Sequence, residues 1–319
     1  MKKILITYQI PENGIKLLKK NFDVDLNTNE KQLSREYLLN NISKYDAAIT
    51  MLYDKIDKKI LEKGHPKLKI IANYAVGYNN IDIKKADELD ITVCNTPGVL
   101  TNATAEIAFS LMIAISRNIL PADKFVRKGK FVGWRPELFL GDELKNKTVG
   151  IFGMGRIGKS LAKKCKCFDM NIIYNNKEKL PEEIEKKYNA NYVSFDELLE
   201  KSDIISIHAP LTDKTKHLFN KSSFEKMKNG AYIVNTGRGP IIKESDLVEY
   251  LQNGRLKGAG LDVYEFEPEV NEKLLKMDNV LLLPHIGSAS NYARKSMSEM
   301  VANAVIKYFN SKEPENKVV

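Results

Sequence analysis

Short apolar runs alternate along this chain with amphipathic helical stretches, and turns separate the two. This alternation is typical of parallel β-α-β units. Before residue 100 the predicted strands are Ile4–Thr7, Val24–Leu26, Ala47–Thr50, Lys69–Ala72 and Ile91–Cys94. From residue 148 onwards they are Thr148–Phe152, Asn171–Tyr174, Ile204–Ile207, Tyr232–Asn235, Gly258–Leu261 and Val280–Leu283. The expected fold class is therefore α/β, with two doubly wound parallel-sheet domains.

An apolar helix predicted over Asn102–Asn118 separates the two series of strands. Thr101 and Asn102 are suitable N-cap residues for it. The last periodic stretch, Ser290–Phe309, has no further strand to follow, so we expect it to return and pack on the first domain. The predicted domains are 1–100 with 288–319, and 101–287.

A glycine motif opens the second series. Gly153-Met154-Gly155-Arg156-Ile157-Gly158 fits G-x-G-x-x-G, with a predicted strand before it and the helical run Lys159–Phe168 after it. In that context the first glycine turns the chain, the second lets the backbone approach a pyrophosphate, and the third lets helix and strand pack closely. The motif predicts a dinucleotide site, with Gly153, Gly155 and Gly158 as cofactor-binding residues.

The turn after the next strand carries no carboxylate. An acidic residue that binds the adenosine ribose is expected there, about 20 residues beyond the glycines, but the sequence reads Asn175-Asn176-Lys177. Nothing in this turn would repel a 2′-phosphate, and Lys177 could attract one. We therefore expect NADP(H) to be favoured over NAD(H). The alternative is that Lys177 is an ordinary solvated turn residue.

Five polar residues follow strands of the second series. They are His208, Thr236, Arg238, Asp262 and His285. Ligands of open α/β sheets bind beyond the carboxyl ends of the strands. A lone histidine at a strand end is commonly structural, but the convergence of four strand ends favours a functional role for His285 and, less strongly, for His208.

Arg238, His285 and a nearby glutamate have the chemistry that hydride transfer to a 2-oxo acid requires. The planar guanidinium of Arg238 suits a carboxylate, and His285 can donate a proton near neutral pH. A carboxylate beside the imidazole would favour its charged form. Glu267 is the candidate and Glu265 is its rival, because spacing alone does not separate them.

The composition and charge of the chain limit the classes of partner that we expect. Of the 319 residues, 43% are hydrophobic and 29% charged, as in ordinary globular proteins, and the net charge of +9 is interspersed with acids rather than clustered. We therefore expect no nucleic-acid partner. The apolar stretch Ile107–Ile115 is too short to span a bilayer. Three cysteines without paired spacing favour reduced thiols in the cytoplasm and no metal site.

Taken together, the motifs resemble the D-isomer-specific 2-hydroxyacid dehydrogenase family over essentially the whole chain. The segments that carry the resemblance are Asn73–Asp82, Asn95–Gly98, Gly150–Gly158, His208–Thr212, Asn235–Gly239, Asp262–Pro268 and Pro284–Gly287. The resemblance implies a flavodoxin-like substrate domain beside a Rossmann dinucleotide-binding domain. It also implies a homodimer formed through the cofactor domains.

The resemblance also implies roles for individual residues. The catalytic set would be Arg238, Glu267 and His285, which selects Glu267 over Glu265. The backbone amides of Val76 and Gly77 would hold the substrate carboxylate, with Leu52 nearby. The cofactor site would be lined by Thr104, Arg156, Ile157, Pro210, Thr215, Thr236, Asp262 and Ser288, in addition to the glycines, the turn residues and His208.

Within the family, Trp134-Arg135-Pro136 ahead of Leu140–Leu144 is similar to the glyoxylate and hydroxypyruvate reductase branch. There, a tryptophan in that loop reaches the partner subunit's active site, so Trp134 is a candidate substrate-binding residue. Its alternative role is that of an interface anchor. A short-form D-3-phosphoglycerate dehydrogenase and a D-lactate-type dehydrogenase remain alternative enzymes. A dinucleotide-sensing scaffold without turnover is the alternative from another class.

Overall fold

The computed structural model describes all residues, 1–319, as two compact units. One unit comprises Met1–Leu100 and Ala289–Val319, and the other comprises Thr101–Ser288. Each unit contains one sheet in which every strand pair is parallel. The predicted α/β class with two doubly wound sheets is confirmed.

The first unit contains a five-stranded sheet in the order β2-β1-β3-β4-β5. This is the flavodoxin-like order, as expected. Its core includes the fully buried Leu5, Ala48 and Ile71, which come from three neighbouring strands. The strands are β1 (Lys3–Ile6), β2 (Asp23–Leu26), β3 (Ala47–Thr50), β4 (Ile70–Asn73) and β5 (Thr92–Cys94).

The helices of the first unit begin where short polar side chains satisfy free backbone amides. Ser34, Asp57 and Asp82 each accept a hydrogen bond from an amide of the turn that follows. The helices are α1 (Glu12–Lys19), α2 (Arg35–Asn41), α3 (Lys58–Gly64) and α4 (Ile83–Glu88), with a 3-10 turn at Ile42–Lys44. The last helix of the chain, Asn291–Phe309, packs against α1, and Ser298 Oγ donates to the carbonyl of Pro11 at 2.7 Å.

The second unit contains a seven-stranded sheet in the order β12-β11-β10-β9-β6-β7-β8. The six strands from β8 to β11 have the Rossmann order, with the crossover point between β6 and β9, and β12 extends the sheet beyond β11. The strands are β6 (Thr148–Phe152), β7 (Asn171–Asn175), β8 (Ala190–Tyr192), β9 (Ile204–Ile207), β10 (Ala231–Asn235), β11 (Leu256–Leu261) and β12 (Val280–Leu282). The sequence predicted six of these seven. It missed β8, a short edge strand with only Ala190 buried, because it has no apolar run.

Helices cover both faces of this sheet, and two apolar clusters form the core. The helices are α5 (Thr101–Ser116), α6 (Ile119–Arg127), α7 (Arg156–Cys167), α8 (Glu182–Tyr188), α9 (Phe195–Lys201), α10 (Lys221–Lys226), α11 (Glu244–Gln252) and α12 (Glu272–Leu275), with a 3-10 turn at Gly239–Ile241. The chain-terminal helix Asn291–Phe309 is then α13. The predicted helix over Asn102–Asn118 ends earlier, because Asn118 adopts a left-handed conformation (φ 53°) and starts α6.

No single helix is long and apolar enough to cross a membrane. The pair α5 and α6, bent by 68°, passes the same length and composition test jointly. In this structure α5 is a core helix. Leu111 and Met112 are fully buried, and Leu111 lies against Gly260 of β11.

Candidate active site

The carboxyl ends of β9, β10, β11 and β12 lie side by side in the second sheet. The residues that follow these strands therefore share one edge. They are His208 after β9, Thr236 and Arg238 after β10, Asp262 after β11, and His285 after β12. The crossover point between β6 and β9 opens onto the same edge, which is where ligands of such sheets bind.

The three motif glycines occupy three different environments. Gly153 has φ 98°, and a Cβ there would lie 2.5 Å from the Ala209 nitrogen. A Cβ on Gly158 would overlap the carbonyl of Gly153, whereas a Cβ on Gly155 would meet nothing within 4 Å. Gly155 is the N-cap of α7, so open space lies in front of free helix amides. This arrangement fits the pyrophosphate of a dinucleotide, with Arg156 and Ile157 in the first turn of α7.

The two asparagines at the end of β7 and in the turn after it point to different partners. Asn175 Nδ2 donates to the carbonyl of Val193 at 2.9 Å, which ties β7 to the end of β8. Asn176 Oδ1 instead accepts from the amide of Met154, inside the glycine loop, at 2.6 Å. Lys177 is exposed and has no carboxylate within ion-pair distance, and the same holds for Arg156. Two uncompensated cations therefore flank the glycine loop.

Asp262 holds the loop that carries His285. Its Oδ1 accepts from the amide of Ile286 at 2.7 Å and its Oδ2 from the amide of Gly287 at 2.6 Å. Burial raises the pKa of Asp262, and the two amides partly offset that effect. Thr104 of α5 lies beside this loop, since a Cβ on Gly287 would be 3.2 Å from its methyl group. The loop that contains Ser288 is thus fixed from two sides.

The loop after β9 is closed by Thr215. Its Oγ1 donates to the carbonyl of Pro210 at 2.8 Å and accepts from the amide of Thr212 at 2.8 Å. Pro210 is exposed and Thr215 is partly exposed. Both residues therefore lie near the surface, in the loop that follows β9 and begins with His208.

His208 is held as a neutral imidazole. Its Nε2 is 2.9 Å from Ser206 Oγ, and its Nδ1 is 3.3 Å from Thr236 Oγ1. Burial lowers the pKa of His208 far below its ordinary value. Both ring nitrogens are engaged by hydroxyl groups, so His208 is a poor proton donor at neutral pH.

His285 and Glu267 form a hydrogen-bonded pair. His285 Nδ1 is 2.9 Å from Glu267 Oε2, and Glu267 Oε1 accepts from the amide of Tyr264 at 2.9 Å. Burial alone would raise the pKa of Glu267, but the bond to His285, its charge and that of Arg238 lower it on balance. His285 has a positive φ of 54°, a conformation that costs a non-glycine residue stability and is concentrated at functional sites.

Arg238 is partly buried and lies close enough to Glu267 for the two charges to interact. Burial lowers the pKa of Arg238, and the carboxylate opposes that effect. Its guanidinium donates to the carbonyl of Gly237 at 2.8 Å, and Asn235 Nδ2 donates to the Arg238 carbonyl at 3.0 Å. The structure therefore brings Arg238, Glu267 and His285 together, with a guanidinium, a carboxylate and an imidazole at one sheet edge.

Glu265 does not contact His285. Its Oε1 is 2.6 Å from His217 Nε2, and its Oε2 accepts from the amide of Glu244 at 2.9 Å. The geometry pairs Glu267, not Glu265, with His285, which the spacing in the sequence could not decide.

In the first unit, Val76 and Gly77 form a turn after β4 whose carbonyls are anchored. Asn95 Nδ2 donates to the Val76 carbonyl at 2.8 Å and Asn73 Nδ2 to the Gly77 carbonyl at 2.9 Å. The amides of Val76 and Gly77 donate to no protein acceptor. Sequence reasoning missed Asn73 and Asn95; the signal was an asparagine at the end of a buried strand, as with Asn235.

Leu52 and Trp134 are both on the surface of their units. Leu52 follows β3 and is 36% exposed, whereas Trp134 follows α6 and is 83% exposed. No group of three or more His, Cys, Asp and Glu side chains could hold a metal ion.

Comparison with known proteins agrees with this geometry. The model of the D-isomer specific 2-hydroxyacid dehydrogenase NAD-binding domain matches residues 109–287. A glyoxylate reductase of Thermococcus litoralis is 48% identical over 320 residues, which cover 99% of this chain and 96% of that protein. The chain belongs to the D-isomer-specific 2-hydroxyacid dehydrogenase family. The resemblance inferred from the motifs is thereby confirmed.

Solved structures of other family members agree over the whole chain. A glyoxylate reductase from Paecilomyes thermophila superposes with a TM-score of 0.90 at 34% identity, covering 99% of this chain and 98% of that one. An NADPH-dependent glyoxylate/hydroxypyruvate reductase from Sinorhizobium meliloti, in complex with NADP and malonate, has a TM-score of 0.87 at 29% identity, covering 100% and 97%. This dehydrogenase is an oxidoreductase that acts on CH-OH groups with a nicotinamide cofactor.

Proposed function

We propose that this dehydrogenase reduces glyoxylate and hydroxypyruvate, the latter to the D-hydroxy acid. The observation that carries the proposal is the 2.9 Å bond between His285 and Glu267 at the sheet edge that also holds Arg238. The similarity to glyoxylate reductases at 42–48% identity over 99% of the chain supports this choice of substrate. Neither a phosphoglycerate nor a D-lactate dehydrogenase is better supported.

Each residue has a distinct task in the proposed reduction. Arg238 binds the substrate carboxylate and polarises the carbonyl, because the N–H groups of its planar guanidinium can donate to two neighbouring oxygens at once. His285 donates a proton to the carbonyl oxygen, and Glu267 stabilises the charged imidazole that performs this step. The amides of Val76 and Gly77 also bind the substrate carboxylate, and Leu52 limits the size of the substrate side chain. When bound, the nicotinamide supplies the hydride.

We propose that NADP(H) is preferred over NAD(H). The turn Asn175–Lys177 offers no carboxylate against a 2′-phosphate, and Lys177 and Arg156 have no acidic partner. The NADPH dependence of the Sinorhizobium meliloti relative supports the same preference. Thr104, Ile157, His208, Pro210, Thr215, Thr236, Asp262 and Ser288 are the other residues proposed to line the cofactor site.

We also propose that the enzyme is a homodimer in the cytoplasm. A set of exposed apolar side chains on α6 and the segment after it supports dimerisation, since large apolar side chains are commonly buried where subunits meet. Its members are Ile119, Val126, Phe131, Val132, Trp134 and Leu140. Three free cysteines, one of them exposed, support a reducing compartment. Sedimentation of the wild type and of Val132→Asp tests the oligomeric state, because a charge among these apolar side chains should give monomers.

Turnover tests the proposed function directly. The purified chain is offered glyoxylate, hydroxypyruvate, pyruvate and 2-oxobutyrate, each with NADPH and with NADH, and oxidation of the cofactor is followed. We expect the highest kcat/KM for glyoxylate or hydroxypyruvate with NADPH. Dinucleotide binding without turnover of any 2-oxo acid would instead favour a scaffold.

A further inference from the structure

A second histidine–glutamate pair lies beside the one already described. His217, in the loop between β9 and α10, places Nε2 at 2.6 Å from Glu265 Oε1. Like His285, it adopts a left-handed backbone conformation, with φ 52°. A left-handed histidine costs stability unless its surroundings hold it in place. Two strained histidines thus bind two glutamates of one short turn, Glu265 and Glu267.

Glu265 is joined to Glu244 by a reciprocal pair of hydrogen bonds. The amide of Glu244 donates to Glu265 Oε2 at 2.9 Å, and the amide of Glu265 donates to Glu244 Oε1 at 2.6 Å. Both carboxyl groups are buried, and burial raises the pKa of Glu244. Buried carboxylates persist only where hydrogen bonds or cations compensate them. His217 is the side-chain hydrogen-bonding partner of Glu265 in this cluster of His217, Glu244 and Glu265.

The cluster of His217, Glu244 and Glu265 holds the segment that follows Arg238 in place. His217 donates its amide to the carbonyl of Pro240 at 2.8 Å on one side of that segment. On the other side Gly239 packs directly against the carbonyl of Tyr264, where a Cβ would overlap it. The 3-10 turn Gly239–Ile241 is therefore held between His217 and the turn that carries Glu265.

The same turn places Glu267. Its carboxylate accepts from the amide of Tyr264, one residue before Glu265 and three before Glu267 itself. Glu265 therefore anchors the middle of the turn whose last residue binds His285. A displacement of Glu265 would shift Glu267 and the Arg238 segment relative to each other.

We propose that His217 and Glu265 are positioning residues, which set the Glu267 carboxylate and the Arg238 guanidinium at their working separation. The inference rests on the proposed function, because it concerns reduction by these two residues and His285. Misplacing catalytic groups by as little as 1 Å can lower turnover by up to about 100-fold. The pair acts through Glu267 and touches neither substrate nor cofactor in this role.

A double-mutant cycle with Glu267 tests the proposal. Glu265→Gln keeps the shape and an oxygen for the Glu244 amide but removes the charge that faces His217. We expect kcat for glyoxylate to fall about tenfold, with cofactor affinity within about twofold of wild type. In a Glu267→Gln background the same substitution should lower kcat little further, because the Glu267 carboxylate that Glu265 positions is already absent. Glu249→Gln, an exposed glutamate on α11, is the matched control and should behave as wild type.

A conservative rescue provides the second test. His217→Gln keeps a donor for Glu265 and should retain more than a third of wild-type kcat, whereas His217→Ala should lose about tenfold. Unchanged kcat in Glu265→Gln, an equal loss in both Glu267 backgrounds, or equal losses in the two histidine variants would overturn the proposal. If the wild type itself turned over no 2-oxo acid, the proposed function would fail, and this inference with it.

Discussion

His285 Nδ1 and Glu267 Oε2 lie 2.9 Å apart, although 17 residues separate them in the chain and their segments follow different strands. Glu267 is also anchored by the amide of Tyr264, and Asp262 fixes the loop of His285 through two amides. Both partners are therefore oriented by hydrogen bonds within the protein. Preorganisation of this kind lets a charged imidazole form without reorganisation of the site.

Replacing His285 should separate chemistry from binding. We expect His285→Asn to lower kcat for glyoxylate reduction by about 100-fold or more, because no other group at this edge is a suitable proton donor. Cofactor affinity, measured by calorimetry, should stay within about twofold of wild type. His65→Asn, an exposed histidine of the first unit, is the matched control. Comparable turnover in His285→Asn would remove this residue from the reaction.

Substitutions of the motif glycines should have different effects on cofactor binding and on stability. Gly155→Ala places a methyl group in the open space in front of α7, so we expect unchanged thermal stability and about tenfold weaker dinucleotide binding. Gly158→Ala would force its methyl group into the Gly153 carbonyl and should cost about 1–3 kcal/mol of unfolding free energy. Thermal unfolding and cofactor titration of both variants check this. A stable, tightly binding Gly155→Ala would contradict the assigned pyrophosphate position.

Lys177 should distinguish the two cofactors. If its ammonium attracts a 2′-phosphate, Lys177→Ala should raise the KM for NADPH by about fivefold to tenfold and leave the KM for NADH unchanged. Lys163→Ala, an exposed lysine of α7, controls for general loss of positive charge. Equal changes for NADPH and NADH would show that Lys177 does not select between them.

His208 should make stability depend on pH. Its pKa in the folded state is lowered from the ordinary 6.5, so below that pH the unfolded chain binds a proton that the folded chain rejects. Folding stability should fall as pH decreases below about 6.5, by at most about 1.4 kcal/mol per pH unit. In urea unfolding at about pH 7.5 and about pH 5.5, His208→Gln should lose roughly 1 kcal/mol less than wild type. An identical loss in both proteins would show that His208 is not the group responsible.

Much of the architecture could be predicted from local patterns. Eleven of the twelve strands and the long helices coincide with the predicted apolar stretches, since each buries a face in the core. The glycine motif between β6 and α7 was recognisable because each glycine meets a local backbone requirement. The edge strand β8 was missed, because Asn191 and Tyr192 are exposed and leave no apolar signature.

The sequence alone determined the fold class and the dinucleotide motif, because these follow from periodicity and short-range backbone geometry. The family was recognisable from the resemblance of several motifs to known members. The tertiary structure showed that Glu267 faces His285, a choice that spacing in the chain left open, and it alone decided that Glu265 faces His217 and that Asn176 rather than Asn175 contacts the glycine loop. In both cases neighbouring residues lie in turns without a regular period. The direction of a side chain there is set by distant contacts, which no spacing in the chain encodes.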